Sequence, residues 1–388
     1  MASGEILGCA SEYTATIHWR GGQRVYAYLD KIESVRWSRE RRKISAASVS
    51  VAASGVGAGC MARLLETYEW VHELTLYRDG TAVWQGPVNL RDVTISGNQP
   101  VRVELSAVDV VGYPARRLLQ RTRKLTDTDL SEVGRAVLES SLATRDPNVL
   151  DHIVTRPAGR STSRTIQAYS RYGADELSEV AGLGVDWTTI GRTVYFDAPA
   201  TASTTPQGAI TGEHLLGDIH VVSSADDYAS RVFAAPQAQN GVWQHVEAVG
   251  GYSPVYGLVD HLVQTSYPYN LTSSGEWEPS GEDALSRAQT NAALRRAAQS
   301  RHTQMSRPPL VVRPADSSRL DAATPISIHR LVPGARIDLA VGTQPPLAIQ
   351  AAMRLTRVTV EWDATGEKVQ VSLVQIGGPT DQDDLEAP

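Results

Sequence analysis

Strict alternation of apolar and polar residues, broken by tight turns, is the sequence feature that most constrains how this chain can fold. The clearest example is the segment 73–78, which runs into Asp79-Gly80 and is followed by a returning segment at 82–88. Alternation with a period of two places one face of a β-strand on a core and the other in solvent. Asp-Gly between two such segments favours a hairpin, because these residues tolerate the backbone conformation of a two-residue turn. The sequence therefore predicts antiparallel β-structure here.

The same alternation recurs in two parts of the chain, near 10–115 and near 215–375. The strands predicted in the first part are 13–19, 25–29, 32–36, 47–51, 73–78, 82–88, 90–96 and 101–107. The strands predicted in the second part are 219–223, 231–235, 336–341, 354–362 and 369–374. Antiparallel strands joined by short turns are typical of a small barrel or sandwich.

Helical spacing of apolar residues replaces the alternation between these two parts. Asp127 or Asp129 can cap a helix that ends at Asp146-Pro147, and a second helix is predicted over 166–181. The remaining predicted elements are a hairpin over 185–196, a loop over 199–212 and a long alanine-rich helix near 281–303. We therefore predict an α+β fold that is rich in β-structure.

The changes of pattern also suggest domain bounds. The predicted domains are a first β domain at 1–117, a mixed α/β insert at 118–212, a second β domain at 213–376 that contains the long helix, and an acidic flexible tail at 377–388. The acidic residues of the tail are Asp381, Asp383, Asp384 and Glu386.

Composition excludes several classes of protein. The chain has 388 residues with 41% hydrophobic and 21% charged residues, which is typical of a soluble globular protein. A formal net charge of −6 excludes a broadly basic nucleic-acid binder. No apolar segment approaches the roughly 20 residues that a membrane-spanning helix needs. The first nine residues contain no basic residue, so we expect no secretory signal, and we expect reduced thiols at Cys9 and Cys60.

Motifs for nucleotide or metal binding are weak. Residues 54–59 are predicted as a loop, and its alternating glycines lack the strand–helix context of a dinucleotide site. The nine histidines show no repeated ligand spacing, and two cysteines are too few for a cysteine zinc site. The densest group of histidines and acids comprises His214, Asp218, His220, Asp226 and Asp227. We interpret this group as ordinary polar surface residues and predict no metal or cofactor.

A glycosidase-like pair of carboxylates is the main catalytic alternative. The candidate residues are Glu276, Glu278, Glu282 and Asp283, which surround Trp277. We favour a polar loop that leads into a capped helix, and we assign Trp243, Trp277 and Trp362 to the core or to interfaces. The sequence therefore predicts no catalytic residue and no enzyme.

Two basic segments could bind nucleic acid. The first is 36–43, and the second contains Arg116, Arg117, Arg121, Arg123 and Lys124. Because the chain is acidic overall and few aromatic residues lie between these charges, a solvated strand edge or a salt-bridging protein interface is favoured. Only four of the 37 basic residues are lysines, namely Lys31, Lys43, Lys124 and Lys368. The excess of arginine is typical of a GC-rich genome.

Several segments in order along the chain resemble a known family. They are Leu76-Tyr77-Arg78-Asp79-Gly80, Val83-Trp84-Gln85-Gly86-Pro87-Val88, Val103-Glu104-Leu105-Ser106-Ala107-Val108-Asp109, Tyr113-Pro114-Ala115-Arg116-Arg117, Leu331-Val332-Pro333-Gly334-Ala335-Arg336-Ile337 and Arg354-Leu355-Thr356-Arg357-Val358-Thr359-Val360. Together they resemble the minor tail proteins of siphophages that form the tail-tip or baseplate hub.

The resemblance implies a specific architecture and role. It implies a homotrimer in which each subunit supplies two tail-tube-like antiparallel β-barrel domains, so that six similar barrels join a sixfold tail tube to threefold fibres or spikes. The implied partners are the distal tail protein, the tape measure protein, the central fibre or spike and other minor tail proteins. The implied location is the tail tip of the virion, with phage DNA passing through a lumen without specific binding and with no stable insertion into a membrane. A tail-associated cell-wall hydrolase and a glycan-binding receptor-recognition module remain the alternatives.

Overall fold

The computed structural model defines two compact units in the chain. The structure describes residues 6–29, 31–52, 54, 57–95, 100–142, 149–150, 152–197, 206–223, 228–236, 247–265, 269–271, 277–279, 286–305, 310–315, 318–342 and 349–376. The first unit contains residues up to 220 together with 313–376, and the second contains 221–312. The second unit is therefore an insertion in the sequence of the first.

The first part of the chain forms seven strands and a short helix. These elements are β1 (Tyr13–Trp19), β2 (Val25–Leu29), β3 (Ser34–Glu40), β4 (Ala46–Ala52), α1 (Ala58–Leu65), β5 (His72–Arg78), β6 (Thr81–Thr94) and β7 (Arg102–Val108). Exposed and buried side chains alternate along β7, with Val103, Leu105 and Ala107 on the buried face. Asp79 and Gly80 both have positive φ at the β5–β6 turn, as the hairpin prediction requires.

The next part of the chain is a mixed α/β region with its own core. It contains β8 (Arg123–Asp129), α2 (Leu130–Leu142), β9 (His152–Thr155), β10 (Ser161–Ile166), α3 (Gly173–Gly182), β11 (Asp186–Ile190) and β12 (Thr193–Asp197). Apolar residues at helical spacing, such as Val133 and Val137 of α2, pack with Val180 of α3 and Phe196 of β12. The Asp129 carboxylate accepts a hydrogen bond from the Ser131 backbone at 2.9 Å, which caps the start of α2.

Two short strands, β13 (Gly208–Thr211) and β14 (Leu215–Leu216), precede the second unit. The next elements are β15 (Ile219–Ser223), β16 (Arg231–Ala235), β17 (Glu247–Gly250), β18 (Asp260–Gln264), β19 (Tyr269–Leu271), β20 (Trp277–Pro279), α4 (Arg287–Met305) and β21 (Leu310–Pro314). The core of the second unit is small, with Val232 and Ala234 of β16 packed against Leu294 and Ala298 of α4. Residues 221–312 thus form a compact unit inside the range that we predicted as the second β domain.

The last strands return to the first unit and join its sheet. They are β22 (Arg319–Leu320), β23 (Arg336–Val341), β24 (Ile349–Asp363) and β25 (Gly366–Gln375). The strand order is β14-β22-β25-β24-β3-β4-β7-β6-β5-β1-β2, with β23 also paired to β24 and with β13 paired to β23. Among the described strands of this large sheet, every pair is antiparallel except β13–β23. The junction is the pairing of β24 with β3, where Val360 lies opposite Trp37.

The predicted fold class is confirmed as β-rich with a large antiparallel sheet. Over the described residues the strand order runs from β14 to β2 without closing, so the sheet does not show a closed barrel. The described helices include none that is long and apolar enough to cross a membrane.

Several predicted elements differ from the structure. The helix predicted over 166–181 starts too early, because Ile166 is the last residue of strand β10. This strand pairs with β8, its side chains alternate in exposure, and the side chain of Ile166 is buried. The strands predicted at 82–88 and 90–96 are one strand, β6, with an irregularity in its pairing between Val88 and Leu90. Helix α1 begins inside the loop predicted at 54–59. The acidic tail lies outside the described residues.

Gly86 lies where the backbone of β6 closely approaches the end of β7. A Cβ atom at this position would lie 1.9 Å from the carbonyl oxygen of Val108 and 2.8 Å from its carbonyl carbon. Because these are backbone atoms, no side-chain rotation can relieve the contact. The glycine of Trp84-Gln85-Gly86-Pro87 therefore has a steric role in bringing β6 against the end of β7.

We expect Gly86→Ala to lower the free energy of unfolding by about 2 kcal/mol or more, because the sheet backbone must move to admit the methyl group. Urea unfolding followed by circular dichroism measures this change. Gly59→Ala is the matched control, since a Cβ atom there meets nothing within 4 Å and alanine favours a helix by up to about 1 kcal/mol. Equal stability of the two variants would contradict the steric role of Gly86.

Candidate functional site

Within the histidine and acid group that the sequence analysis assigned to the polar surface, His214 has a structural role. The His214 ring accepts a hydrogen bond at Nδ1 from the Thr211 backbone at 3.0 Å, so it caps a short helical turn. His220 lies on β15, and Asp226 and Asp227 lie outside the described residues. Across the residues that the structure describes, no group of three or more His, Cys, Asp or Glu side chains is arranged to hold a metal ion.

The carboxylate group near Trp277 is described only in part. Glu278 is exposed on β20, whose backbone pairs with β19. Glu276, Glu282 and Asp283 lie outside the described residues, as do Trp243, Gly55 and Val56. Trp362 packs beside Tyr13 with their ring centroids 5.6 Å apart. Cys9 and Cys60 are not joined in a disulfide.

The first basic segment lies inside the sheet, so the prediction of a solvated strand edge is wrong for most of it. Strand β3 pairs with β4 on one side and with β24 on the other. Arg39 is buried and donates hydrogen bonds to the carbonyl oxygens of Val83 at 2.7 Å and Ile328 at 3.3 Å. Burial lowers the pKa of Arg39 to about 10, so its guanidinium is still charged at neutral pH. Arg36 is exposed.

Three arginines converge on one buried carboxylate, Asp186, the first residue of β11. Arg41 and Arg42 donate to Oδ1 through their Nε atoms at 2.8 and 2.7 Å, and Arg354 donates to Oδ2 at 3.1 Å. Arg42 has a positive φ of 58°, which turns the chain so that both consecutive arginines reach the same acid. We call these four residues the Asp186 cluster. It connects the insert to the end of β3 and to β24.

A second buried ion pair, Glu73–Arg192, joins the β11–β12 turn to β5. Glu73 also accepts hydrogen bonds from the Tyr113 hydroxyl at 2.8 Å and from the Gly21 backbone at 2.9 Å. Arg192 donates to the Val149 carbonyl oxygen at 2.8 Å. Burial, and then the Glu73 charge, raise the pKa of Tyr113, so its hydroxyl stays protonated and donates.

Asp109 provides a third buried contact between the same two regions. Its carboxylate accepts from the Ser45 backbone at 2.6 Å, the Thr189 hydroxyl at 2.8 Å and the Val111 backbone at 2.9 Å. Burial raises the pKa of Asp109 to about 6, although the hydrogen bonds act in the opposite direction. Asp186, Thr189 and Arg192 thus attach one hairpin of the insert through three polar contacts.

A further buried acid, Glu367, joins the first and last hairpins of the sheet. Arg78 binds it through Nη2 at 2.7 Å, and the Tyr13 hydroxyl donates to it at 2.7 Å. Burial, and then the Glu367 charge, raise the pKa of Tyr13. This contact lies beside the junction of β24 with β3.

The second basic segment is divided among different contacts. Arg116 lies over the Trp70 ring at 4.7 Å, and Arg123 forms an ion pair with Glu139 at 3.0 Å. Arg117 is half-buried, whereas Arg121 and Lys124 are exposed. The structure therefore does not bring this segment together as one patch.

The buried acids described above are held as fixed acceptors. Asp186, Asp109 and Glu73 each accept hydrogen bonds from several donors inside the protein, so each carboxylate has structural partners. Sequence reasoning missed all three. The signal available in the sequence was a charged residue at a position where strand alternation or burial favours an apolar side chain.

Comparison of structures identifies proteins with the same fold. A tail protein from Neisseria meningitidis MC58 is 10% identical, and the match covers 97% of this chain and 100% of that one with a TM-score of 0.58. The 43 kDa tail protein of prophage MuSo2 from Shewanella oneidensis is 9% identical over 94% of this chain and 99% of its own, with a TM-score of 0.58. Prophage tail protein gp18 from Listeria monocytogenes EGD-e is 10% identical over 92% and 94%, with a TM-score of 0.53. No protein-family profile and no curated protein sequence match the chain. The resemblance to tail proteins is confirmed at the level of the fold.

We expect Asp186→Asn to lower the free energy of unfolding by about 3–5 kcal/mol, because it leaves buried guanidinium groups without their carboxylate. Asp197→Asn is the matched control, since Asp197 faces Asp186 across the hairpin but forms a partly exposed pair with Arg156. Such exposed pairs contribute at most about 1 kcal/mol. Denaturant unfolding of both variants measures the difference, and equal losses would refute the importance of the Asp186 cluster.

We expect the stability contributed by Asp109 to fall as the pH rises. Its pKa is raised to about 6 in the folded protein from 3.8, so the contribution is complete below 3.8 and is lost as the pH rises through about 6. Relative to Asp109→Asn, which does not titrate, the free energy of unfolding of the wild type should rise by about 1 kcal/mol between about pH 7 and about pH 5. A pH-independent difference between the two proteins would rule out this linkage.

Proposed function

We propose that this chain is a structural subunit of a bacteriophage tail tip, where it forms a hub ring and performs no catalysis. The observation that carries the proposal is a fold shared along more than nine-tenths of the chain with tail proteins, two of them from prophages. Matches that extend over nearly the full length of both chains support a common architecture rather than one shared motif. We place the protein in the virion, at the tail tip.

We propose that the ring is a homotrimer with two tail-tube-like β-barrel domains in each subunit. The predicted domains 1–117 and 213–376 would be these barrels, with 118–212 as the insert and with the compact unit 221–312 inserted in the second. The pairing of β24 with β3 supports this arrangement, because it fixes the two β parts side by side in one sheet. Three subunits would then present six similar β parts to a sixfold tail tube above and three equivalent positions to fibres or spikes below.

We also propose that phage DNA passes through the ring without specific binding. Arginines that line a channel would hold DNA through its phosphates. In the first basic segment Arg39, Arg41 and Arg42 instead bind carbonyl oxygens or Asp186 within the protein. The partners in the tail would be the distal tail protein, the tape measure protein, the central fibre or spike and other minor tail proteins.

The mass and shape of the purified chain test this proposal. We expect mass photometry at micromolar concentration to give three times the 41.9 kDa of the monomer, and electron microscopy to show rings with an open centre. A protein that stays monomeric at all concentrations would contradict the ring. Clearing of peptidoglycan by the purified protein, lost when Glu278 is replaced by Gln, would contradict the non-catalytic role.

A further inference from the structure

Strand β2 is the last strand in the order of the large sheet, and β1 is its one strand partner among the described residues. A strand with an unpaired side offers its backbone donors and acceptors to a strand of another chain. The opposite end of the strand order is β14, which has only two residues and so offers little to pair with. The free side of β2 is therefore an edge of this sheet at which unwanted pairing can begin.

The hydrogen bonds of β1 show which backbone groups of β2 face the free side. Glu12 and Arg20, which flank β1, form backbone hydrogen bonds toward the β5 side at 3.1 and 2.9 Å. Because strand residues alternate with a period of two, Thr16 also bonds toward β5. Thr16 lies opposite Tyr28 of β2, so this pair is one of those that do not exchange hydrogen bonds. The backbone N–H and carbonyl groups of Tyr28 therefore point to the free side.

The pairing of β1 with β2 also leaves Tyr26 outside the ladder. The register passes from Ala27 directly to Val25, so Tyr26 is the extra residue of a β-bulge. The extra residue of a bulge has no partner on the neighbouring strand. The carbonyl oxygens of Tyr26 and Tyr28 are therefore two acceptors of β2 that β1 does not use.

Side chains of helix α1 bind both of these acceptors. Arg63 donates from Nη1 to the carbonyl oxygen of Tyr26 at 2.5 Å, and the Cys60 thiol donates to the carbonyl oxygen of Tyr28 at 3.6 Å. The guanidinium carbon of Arg63 also lies 5.8 Å from the centroid of the Tyr26 ring. Cys60 and Arg63 are three residues apart, so they lie on the same face of the helix. One face of α1 thus lies along β2.

Other contacts fix the C-terminal end of α1. Leu64 is fully buried. Arg91 of β6 donates to the carbonyl oxygen of Leu65 and, at 3.1 Å, to that of Thr67. A cation at this end of a helix also interacts favourably with the helix dipole. Gly57, at the start of α1, provides no side-chain cap. The helix is therefore held over β2 mainly through its last turn.

We infer that α1 is a cover over the free side of β2, which prevents this strand from pairing with a strand of a second copy of the chain. Two side-chain donors of α1 take the place of the backbone donors that such a strand would bring. The cover goes beyond the proposed ring and does not depend on it, because an open edge would cause association of a monomer and of a ring alike. The wild-type assembly is therefore the baseline for any test.

Removal of the two donors tests the cover. The uncovered variant carries Cys60→Ala and Arg63→Ala, and alanine at both positions keeps α1 helical. At equal concentration under reducing conditions, species larger than the wild-type assembly should increase about fivefold, because an ordinary hydrogen bond contributes about this factor to an equilibrium. Sedimentation velocity over a range of concentrations measures these species, and circular dichroism checks folding.

A substitution at Tyr28 shows whether the association uses this edge. Tyr28→Pro removes a backbone donor from the free side and no hydrogen bond to β1, and proline is tolerated at such edge positions. Added to the uncovered variant, it should restore the sedimentation profile of the wild type. Tyr28→Lys serves the same purpose if the proline variant does not fold, because this side chain is 70% exposed and a lysine at a strand edge opposes pairing.

Two control variants separate the cover from a simple loss of charge. Arg63→Lys should behave as the wild type, because an ammonium group can still donate to the Tyr26 carbonyl oxygen. Arg102→Ala removes an exposed arginine of β7 that pairs with Glu33, and it should not promote association. A folded uncovered variant that associates no more than the wild type overturns the inference. It is also overturned if Arg102→Ala promotes association as strongly, or if the association persists after the substitution at Tyr28.

Discussion

The buried carboxylate of Asp186 is the interaction on which the arrangement of the first unit depends. It accepts from Arg41 and Arg42, which follow β3, and from Arg354 of β24, so it joins three parts of the chain that are far apart in sequence. Desolvation of these charges offsets much of their mutual attraction, so such a cluster contributes less to net stability than to geometry. The cluster fixes the placement of the insert hairpin, because all three arginine side chains must reach the Asp186 carboxylate. The Glu73–Arg192 ion pair and the hydrogen bond between Thr189 and Asp109 attach the same hairpin at two further points.

The sequence could predict those elements whose pattern is local. The bounds of β1 and β2, the Asp79-Gly80 turn and the hairpin of β11 and β12 follow from alternation and turn chemistry within a few residues. The start of α3 could not be found in this way, because Ile166 fits the helical spacing but is buried as part of a strand. Arg39, Arg41 and Arg42 looked like a solvated edge, since nothing in their segment shows that β24 would pair with β3 from the other side. Whether a charged residue is buried or exposed depends on strands that are distant in the sequence, and a short segment does not contain them.

The low identity of the matching tail proteins has a physical explanation in this fold. Identities of 9–10% coexist with a shared fold over most of each chain. Period-two alternation can be met by many combinations of apolar residues, so a sheet tolerates extensive exchange while its pattern persists. Positions that tolerate little exchange are sparse, and Gly86 illustrates them, because its restriction comes from the Val108 backbone rather than from a side chain.

The pairing of β3 with β24 also governs when the protein can become folded. Glu40 and Arg357 are neighbours in this ladder although more than three hundred residues separate them in the chain. Contacts of such high sequence separation slow folding, because the entropy of closing the loop is lost before the contact forms. On the ribosome the centre of the sheet must wait for almost the whole polypeptide, with the edge of β3 left open until then. A truncated translation product would therefore lack the central strand pair, and its unpaired strand edge makes the nascent chain a candidate for chaperone binding.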